Sequence, residues 1–518
     1  MLTVTSLALG GLAAGTGQAF AAICDRNNLA ARGDLDGDAR PDVVVGTPGL
    51  DGAAGAVDTR GTHTASKVVR PADLKAGTGR GDRFGAAVVI TDLDADGCAD
   101  LIIGSPGEGA PALKDRAAAK RFGTGRAGQV HIVFGSPQGV LTRGAGLLAH
   151  PFSAGGDAFG AALAVVPRQT KAGLVRDLYV GVPGADVGKA RDAGEVVRYT
   201  ITPVSGGKDP AKRITVTGGQ ARRQGAGGVP DTAETGDRFG ALLAGVEGGT
   251  AANGVLVGTP DEDLGALADA GSVTFLRTAR SGAALPSETW TQDSVGVPGE
   301  AEAGDRFGAA VGSRGAWAAV GVPGENVGEV RDAGTVQVFE RLASGAEGFA
   351  PRQALTQEST DGPGELEPGD RFGSAVAVGI GLACPKQPAV AVGAPGEDVG
   401  TVVDAGSVTL AVLADRASCW PRVLTQGAGG VGGVAEAGDA FGATVAALRG
   451  NAGYGDRYAD ALVVGAPGED VEALADTGSI QPATAAFTVD GVTRPWLQFS
   501  GGLAAGQDYG AVLPASSD

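Results

Sequence analysis

Histidine is scarce. The 518-residue chain holds three, His63, His131 and His150, far apart in sequence. General acid–base and nucleophilic chemistry recruit His more than any other side chain. No Gly-x-Ser-x-Gly elbow, His/carboxylate zinc motif or phosphate-cradling loop stands in for it. The three histidines are therefore read as surface or strand polar residues. Basic clusters are also missing. There are 41 Lys and Arg against 59 Asp and Glu, a net charge of −18. Phosphate binding needs clustered Lys or Arg, so a nucleic-acid partner is excluded. Cationic partners and metal ions are favoured by the same balance, which also serves solubility. Beyond the first two dozen residues no apolar run nears the ~20 residues of a membrane helix, so no transmembrane segment is expected. No amphipathic helix is evident either, and Ala117–Phe122 offers one helical turn at most.

The four cysteines, Cys24, Cys98, Cys384 and Cys419, contain no CxxC pair, which argues against a zinc site. An even count suits two disulfides in an exported chain, with three possible connectivities. The start, MLTVTSLALGGLAAGTGQAFAA, reads as an export leader with an apolar core and a small-x-small site at Ala19-Phe20-Ala21, although no Lys or Arg precedes Arg26. The expected division is a leader over residues 1–21 and one folded unit over 22–518, secreted or held at the cell wall. A single-copy monomer is expected.

Glycine is plentiful, 91 residues, with 27 Pro, and it recurs at fixed places. Three landmarks repeat in the same order. The first is Gly-Asp-x-Phe-Gly, with Phe at 84, 159, 239, 307, 372 and 441, then a degenerate Tyr509-Gly510. The second is Gly-x-Pro after an apolar run, with Gly at 46, 104, 181, 258, 321, 393 and 465. The third is a small residue and Gly before an alternating strand, as in Asp269-Ala270-Gly271. Several repeats add a fourth run ending in Thr-Gln, such as Thr291-Gln292, Thr356-Gln357 and Thr425-Gln426. Runs such as Leu101-Ile102-Ile103 are apolar throughout, as in strands covered on both faces.

Each repeat thus spells about four short strands. Seven copies predict an all-β fold: a seven-bladed β-propeller of four-stranded antiparallel blades, whose ring buries blade faces against their neighbours. Aromatics make up only 5% of the chain, so the recurring Phe is significant; it reads as a wedge between blades, beside a Gly where a Cβ would clash. The first Gly-x-Pro has no Phe-Gly before it and the last Phe-Gly analogue no Gly-x-Pro after it. Tyr509–Leu513 is therefore expected to supply the first strand of the blade that contains Asp42–Val45, joining N- and C-terminal segments. Leu29–Gly33 competes for that place.

Two repeats carry an acidic loop. Asp34, Asp36, Asp38 and Asp42 stand at positions 1, 3, 5 and 9, as do Asp92, Asp94, Asp96 and Asp100. Alternate carboxylates converge oxygen on one point, which suits Ca²⁺, with a backbone carbonyl from position 7, Arg40 or Cys98. The order resembles the start of an EF-hand loop, but Val45 or Ile103 occupies position 12 and a strand follows. Two structural Ca²⁺ sites in strand-loop-strand settings are expected. Asp177 and Asp460 are remnants in repeats expected to be metal-free. Cys24 and Cys98 flank the two acidic loops, and Cys384 and Cys419 fall in connections on one face of one sheet; these placements favour Cys24–Cys98 and Cys384–Cys419. A second acidic pattern follows Gly-x-Pro at Glu262-Asp263, Glu325-Asn326, Glu397-Asp398 and Glu469-Asp470, and is read as turn chemistry. Two Arg-Gly-Asp triplets, at 32–34 and 80–82, belong to the loop and the repeat and are read as coincidence.

Phe-Gly, an Asp-rich loop and then Gly-Ala-Pro, as at 393–395 and 465–467, resemble the FG-GAP repeat of integrin α-subunit propellers. That resemblance covers nearly all of the chain after the leader. It implies seven blades, with metal loops between first and second strands, and in integrins the fold serves adhesion. Composition resembles that of bacterial secreted FG-GAP proteins. The expected function is a secreted calcium-binding module that recognises a protein or glycan partner, with Ca²⁺ as a structural staple. The alternative is an extracellular hydrolase or lyase built on the propeller.

Overall fold

The computed structural model describes residues 33–37, 42–60, 67–74, 76, 79–109, 126–148, 154–204, 209–248, 252–342, 348–360, 365–414, 421–449, 460–470, 477–482, 488–489, 492–493, 512–513 and 515–516. The expected leader, Cys24, Asp38, Arg40, His63, Ala117–Phe122, His150 and Cys419 lie outside them. Among the described residues no helix is long and apolar enough to cross a membrane.

Seven antiparallel sheets form the blades of an all-β propeller. Blade 1 contains Val43–Thr47, Ala56–Arg60 and Lys67–Val69. Blade 2 runs Ala87–Thr91, Asp100–Ser105, Gln129–Phe134 and Leu141–Leu148. Blade 3 is Leu163–Thr170, Gly173–Val182, Glu195–Pro203 and Ile214–Arg222. Blade 4 is Leu242–Val246, Asn253–Thr259, Ser272–Thr278 and Glu288–Trp290. Blade 5 is Ala310–Arg314, Trp317–Val322, Thr335–Arg341 and Phe349–Leu355. Blade 6 is Ala375–Ile380, Pro388–Ala394, Ser407–Val412 and Arg422–Leu424. Blade 7 contains Thr444–Leu448, Ala461–Ala466 and Ser479–Pro482.

The sequence landmarks are the joints of this ring. Phe84, Phe159, Phe239, Phe307, Phe372 and Phe441 are fully buried. Phe84 packs among Val44, Val57 and Val69 of blade 1 and Val88 and Ile90 of blade 2. Burying one such ring contributes on the order of 2 kcal/mol. The backbone N–H groups of Phe159, Phe239 and Phe307 donate to Ala127, Ala193 and Ala270 of the preceding blade, each at 2.9 Å. The Gly of Gly-x-Pro meets the carbonyl of the next blade's Phe-Gly. A Cβ on Gly104, Gly181 or Gly393 would lie 2.0, 2.0 or 1.9 Å from the carbonyl oxygen of Gly160, Gly240 or Gly442. Close backbone approach, rather than loop freedom, therefore requires glycine there.

Small first-strand residues, among them Ala310, Ala375 and Val445, line a central cavity of about 430 Å³ that Val512 and Leu513 also reach. The Gly46 amide donates to the Val512 carbonyl at 3.1 Å, and the two residues form an antiparallel bridge. Val512 thus borders the inner edge of blade 1, where other blades have their first strand. Tyr509, Gly510 and Ala511 lie outside the described residues, as do residues 29–32 of the competing segment. Just after Val512, Ala515–Ser516 pairs in parallel with Ala87–Thr91 of blade 2.

Candidate metal centre

The loop from Asp92 to Ala99 joins the first and second strands of blade 2, on one face of the ring. Its strands end in β-branched runs, and the turn then needs a left-handed residue at its fourth position. Ala95 adopts it with φ 57°, and Gly37 does so in the blade 1 loop with φ 76°. These turns bring positions 1, 3 and 9 together. One carboxylate oxygen from each of Asp92, Asp94 and Asp100 lies within 4.8 Å of the others, and Asp34, Asp36 and Asp42 form the same arrangement.

The ninth Asp brackets its loop. Asp100 accepts from the Leu93 amide at 2.7 Å and the Gly135 amide at 2.9 Å. Asp42 accepts from Leu35 at 2.6 Å. Asp34 accepts from Gly37 at 2.6 Å, and Asp92 from Gly97 at 3.1 Å. The two loops also interlock. The Ala99 amide donates to the Asp34 carbonyl at 2.7 Å, and Ser136 donates to the Leu35 carbonyl at 3.1 Å. Leu35 lies in the same core cluster as Ala99 and Leu101.

Concentrating carboxylates here has an electrostatic cost. Burial, then Asp94 and Asp96, push Asp92 up to about 6. Burial, then Asp94 and Asp92, drive Asp100 well above the ordinary carboxylate range. Burial and Asp96 raise Asp94, against the nearby Arg213. The Arg213 guanidinium, from blade 3, reaches Asp94 and Asp96, at 3.0 Å each. Asp96, at position 5, also accepts from Cys98 at 2.9 Å. Among these groups the buried Oδ1 of Asp92 has no hydrogen-bond partner. An oxygen-only donor set with such an atom fits a hard divalent cation, Ca²⁺ above all, which takes six to eight oxygen ligands. Asp92, Asp94 and Asp100, and Asp34, Asp36 and Asp42, would hold it; the ion would neutralise carboxylates that otherwise repel. Neither described cysteine, Cys98 or Cys384, is a free thiol.

In two blades that lack the full acidic loop, an arginine pairs with the remaining acid. Asp177 is buried in blade 3, and Arg168 donates to it through Nε at 2.6 Å and Nη2 at 3.0 Å. Thr200 adds a third bond at 2.7 Å. Asp460 in blade 7 accepts from Arg314 at 3.2 Å and from the Ile380 amide at 2.8 Å.

On the opposite face the second acidic pattern divides in two. Asp263 and Asp398, and Asp186 at the same place after Gly181-Val182-Pro183, accept backbone bonds at 2.9, 2.9 and 3.1 Å from Asp269, Asp404 and Asp192, which is turn chemistry as expected. The Glu beside them instead faces the preceding blade. Gln224, Gln292, Gln357 and Gln426 donate to Glu262, Glu325, Glu397 and Glu469 respectively. The role of this Gln–Glu pairing is not visible in either motif alone; its signal was the recurrence of both in consecutive repeats. Burial, then Asp305, Asp370 or Asp439, raises Glu325, Glu397 and Glu469 to about 7. His131 lies in a strand, as allowed, but it is buried rather than at the surface, 2.6 Å from Glu108.

These features define a seven-bladed β-propeller with cation-competent loops on one face. Residues 84–133, from the Phe84 wedge into the third strand of blade 2, match the family model described as FG-GAP repeat. The protein thus carries an FG-GAP repeat in a seven-bladed propeller. No curated protein matches the chain.

Proposed function

We propose that this protein is a secreted, calcium-binding propeller that recognises a protein or glycan partner, with two Ca²⁺ ions as structural staples at the blade 1–2 boundary. The convergence and interlocking of the two Asp clusters carries this reading. Asp38, Asp96 and the carbonyls of Arg40 and Cys98 complete the proposed ligand sets. Cys24–Cys98 and Cys384–Cys419 disulfides fasten the neighbouring loops, and the terminal segments close the ring in blade 1.

The partner face is the one opposite the acidic loops. Connections from second to third strands, and from one blade to the next, emerge there by antiparallel alternation. Among the described residues they carry the three most exposed large apolar side chains, Val295, Val434 and Val403, at 99%, 72% and 54%. The test is binding of the purified full chain to glycan and peptide arrays in Ca²⁺. Saturable binding to one ligand class, lost in Val295→Asp/Val434→Asp, is expected. No saturable binding to either array, or turnover of glycan or ester substrates, would refute it.

A further inference from the structure

Blade 3 aims an arginine at the Asp loop of blade 2. The Nη1 atom of Arg213 donates to Oδ2 of Asp94 and to Oδ2 of Asp96, at 3.0 Å each. The other oxygen of each carboxylate is engaged inside the loop. Oδ1 of Asp94 accepts from the Asp96 amide at 3.1 Å, and Oδ1 of Asp96 accepts from the Cys98 amide at 2.9 Å. The two Oδ2 atoms are therefore those that positions 3 and 5 turn away from the loop's own hydrogen bonds, and a single guanidinium nitrogen bridges them.

The arginine and a bound ion draw on the same two oxygens. Either one relieves the repulsion between the carboxylates by Coulomb attraction, and two positive charges at this range repel each other. Occupation by one weakens the other, and the coupling is equal in both directions.

The local structure lets the arginine act as a competitor. Its backbone is fixed, because the Arg213 amide donates to the Pro210 carbonyl at 2.8 Å and its carbonyl accepts from the Val204 amide at 2.6 Å. A charge held on a fixed backbone acts at a high effective concentration. The Arg213 side chain is also 30% exposed, so the guanidinium can turn to water when it is displaced. Arg168 is the opposite case. Its side chain is 7% exposed and clamps Asp177 within blade 3 as a permanent partner. Arg176, the other blade 3 cation that acts on the loop, is buried and donates to the Thr91 hydroxyl at 3.3 Å, so it too stays in place.

We propose that Arg213 is a displaceable counter-cation that competes with Ca²⁺ for Asp94 and Asp96 and so sets the cation affinity of the blade 2 loop. The proposal rests on the reading of that loop as a Ca²⁺ site. It adds a link between blades, because an ion that enters the blade 2 loop releases an ion pair to blade 3.

Calorimetric titration of the full chain with CaCl₂ compares wild type, Arg213→Ala and Arg213→Lys. Asp92→Asn/Asp94→Asn identifies the binding step that belongs to blade 2. In Arg213→Ala that step should tighten about tenfold, because hydrogen bonds between charged groups are lost from the competing state. Arg213→Lys keeps a charge on the same tether and should stay closer to wild type. Melting gives the second readout. In EGTA, Arg213→Ala should melt below wild type, and in saturating Ca²⁺ the two should coincide. An arginine that only braces the loop would lower Tm in both conditions and leave the affinity unchanged or weaker; either result overturns the proposal while the loop site stands. No Ca²⁺ bound by any of these proteins overturns the loop site and the proposal together. Should Arg213→Ala not fold, Arg213→Gln, which keeps length and polarity without the charge, carries the same comparison.

Discussion

Gly104→Ala should destabilise the ring far more than a surface glycine change. The new Cβ would lie 2.0 Å from the Gly160 carbonyl oxygen and 3.1 Å from its carbon. Ordinary contact starts at 3.4 Å, so relief requires a movement of 3.4 − 2.0 = 1.4 Å. Both groups are backbone, and Gly160 is tied to Phe159 in the core. No side chain can rotate away. Overpacking commonly costs about 1–3 kcal/mol, and a backbone-on-backbone clash belongs at the upper end, about 3 kcal/mol. At roughly 2.1 cal/mol/K of unfolding entropy per residue, cooperative melting of the whole ring converts this to a Tm drop of about 3 °C. The control is five residues away. A Cβ on Gly109 would meet nothing within 4 Å, so Gly109→Ala should stay within about 0.5 kcal/mol of wild type. Calorimetry with a urea midpoint separates the two. If Gly104→Ala melts with Gly109→Ala, the contact between Gly-x-Pro and the next Phe-Gly is not what holds the blades in register.

Other consequences follow from the same geometry. Arg168→Ala strands the buried Asp177 charge and should cost about 3–5 kcal/mol, whereas Arg168→Leu/Asp177→Leu should recover most of it; denaturant titration of both variants checks the difference. In EGTA, stability should rise on acidification. Glu325, Glu397 and Glu469 have folded pKa values near 7 against an ordinary 4.5, so the folded state holds more protons between those values. The gain is lost as pH climbs from about 4.5 to 7 and stays lost above, on the order of 1 kcal/mol per group after screening. Tm against pH in wild type, and its flattening in Glu325→Gln/Glu397→Gln/Glu469→Gln, tests this. Ca²⁺ at 5 mM, with a dissociation constant of about 10⁻⁴ M, should add about 2.3 kcal/mol per site. Removing it with EGTA should lower Tm by several degrees.

The propeller was legible because its joints are chemical necessities. A Gly that faces a carbonyl at about 2 Å, and a Phe with no exposed surface, recur at six blade boundaries among the described residues, and so they appear in sequence as spaced landmarks. The acidic loops were legible for the same reason, since convergence of Asp92, Asp94 and Asp100 follows from a left-handed residue at Ala95. What was hidden depends on which side chains the fold sets against each other. Asp177 reads as a relic, but Arg168 makes it an internal ion pair. His131 reads as a strand polar residue, and only the fold buries it against Glu108. Gln224 sits in Arg223-Gln224-Gly225, outside any Thr-Gln landmark, and only the ring sets it against Glu262, 38 residues away.

Ca²⁺ stoichiometry in Asp92→Asn/Asp94→Asn decides whether the Asp loops hold Ca²⁺. This change removes two converging charges while keeping side-chain shape. One ion fewer per chain than wild type is expected, with the blade 1 loop still loaded. Equal stoichiometry in the two folded proteins would contradict it.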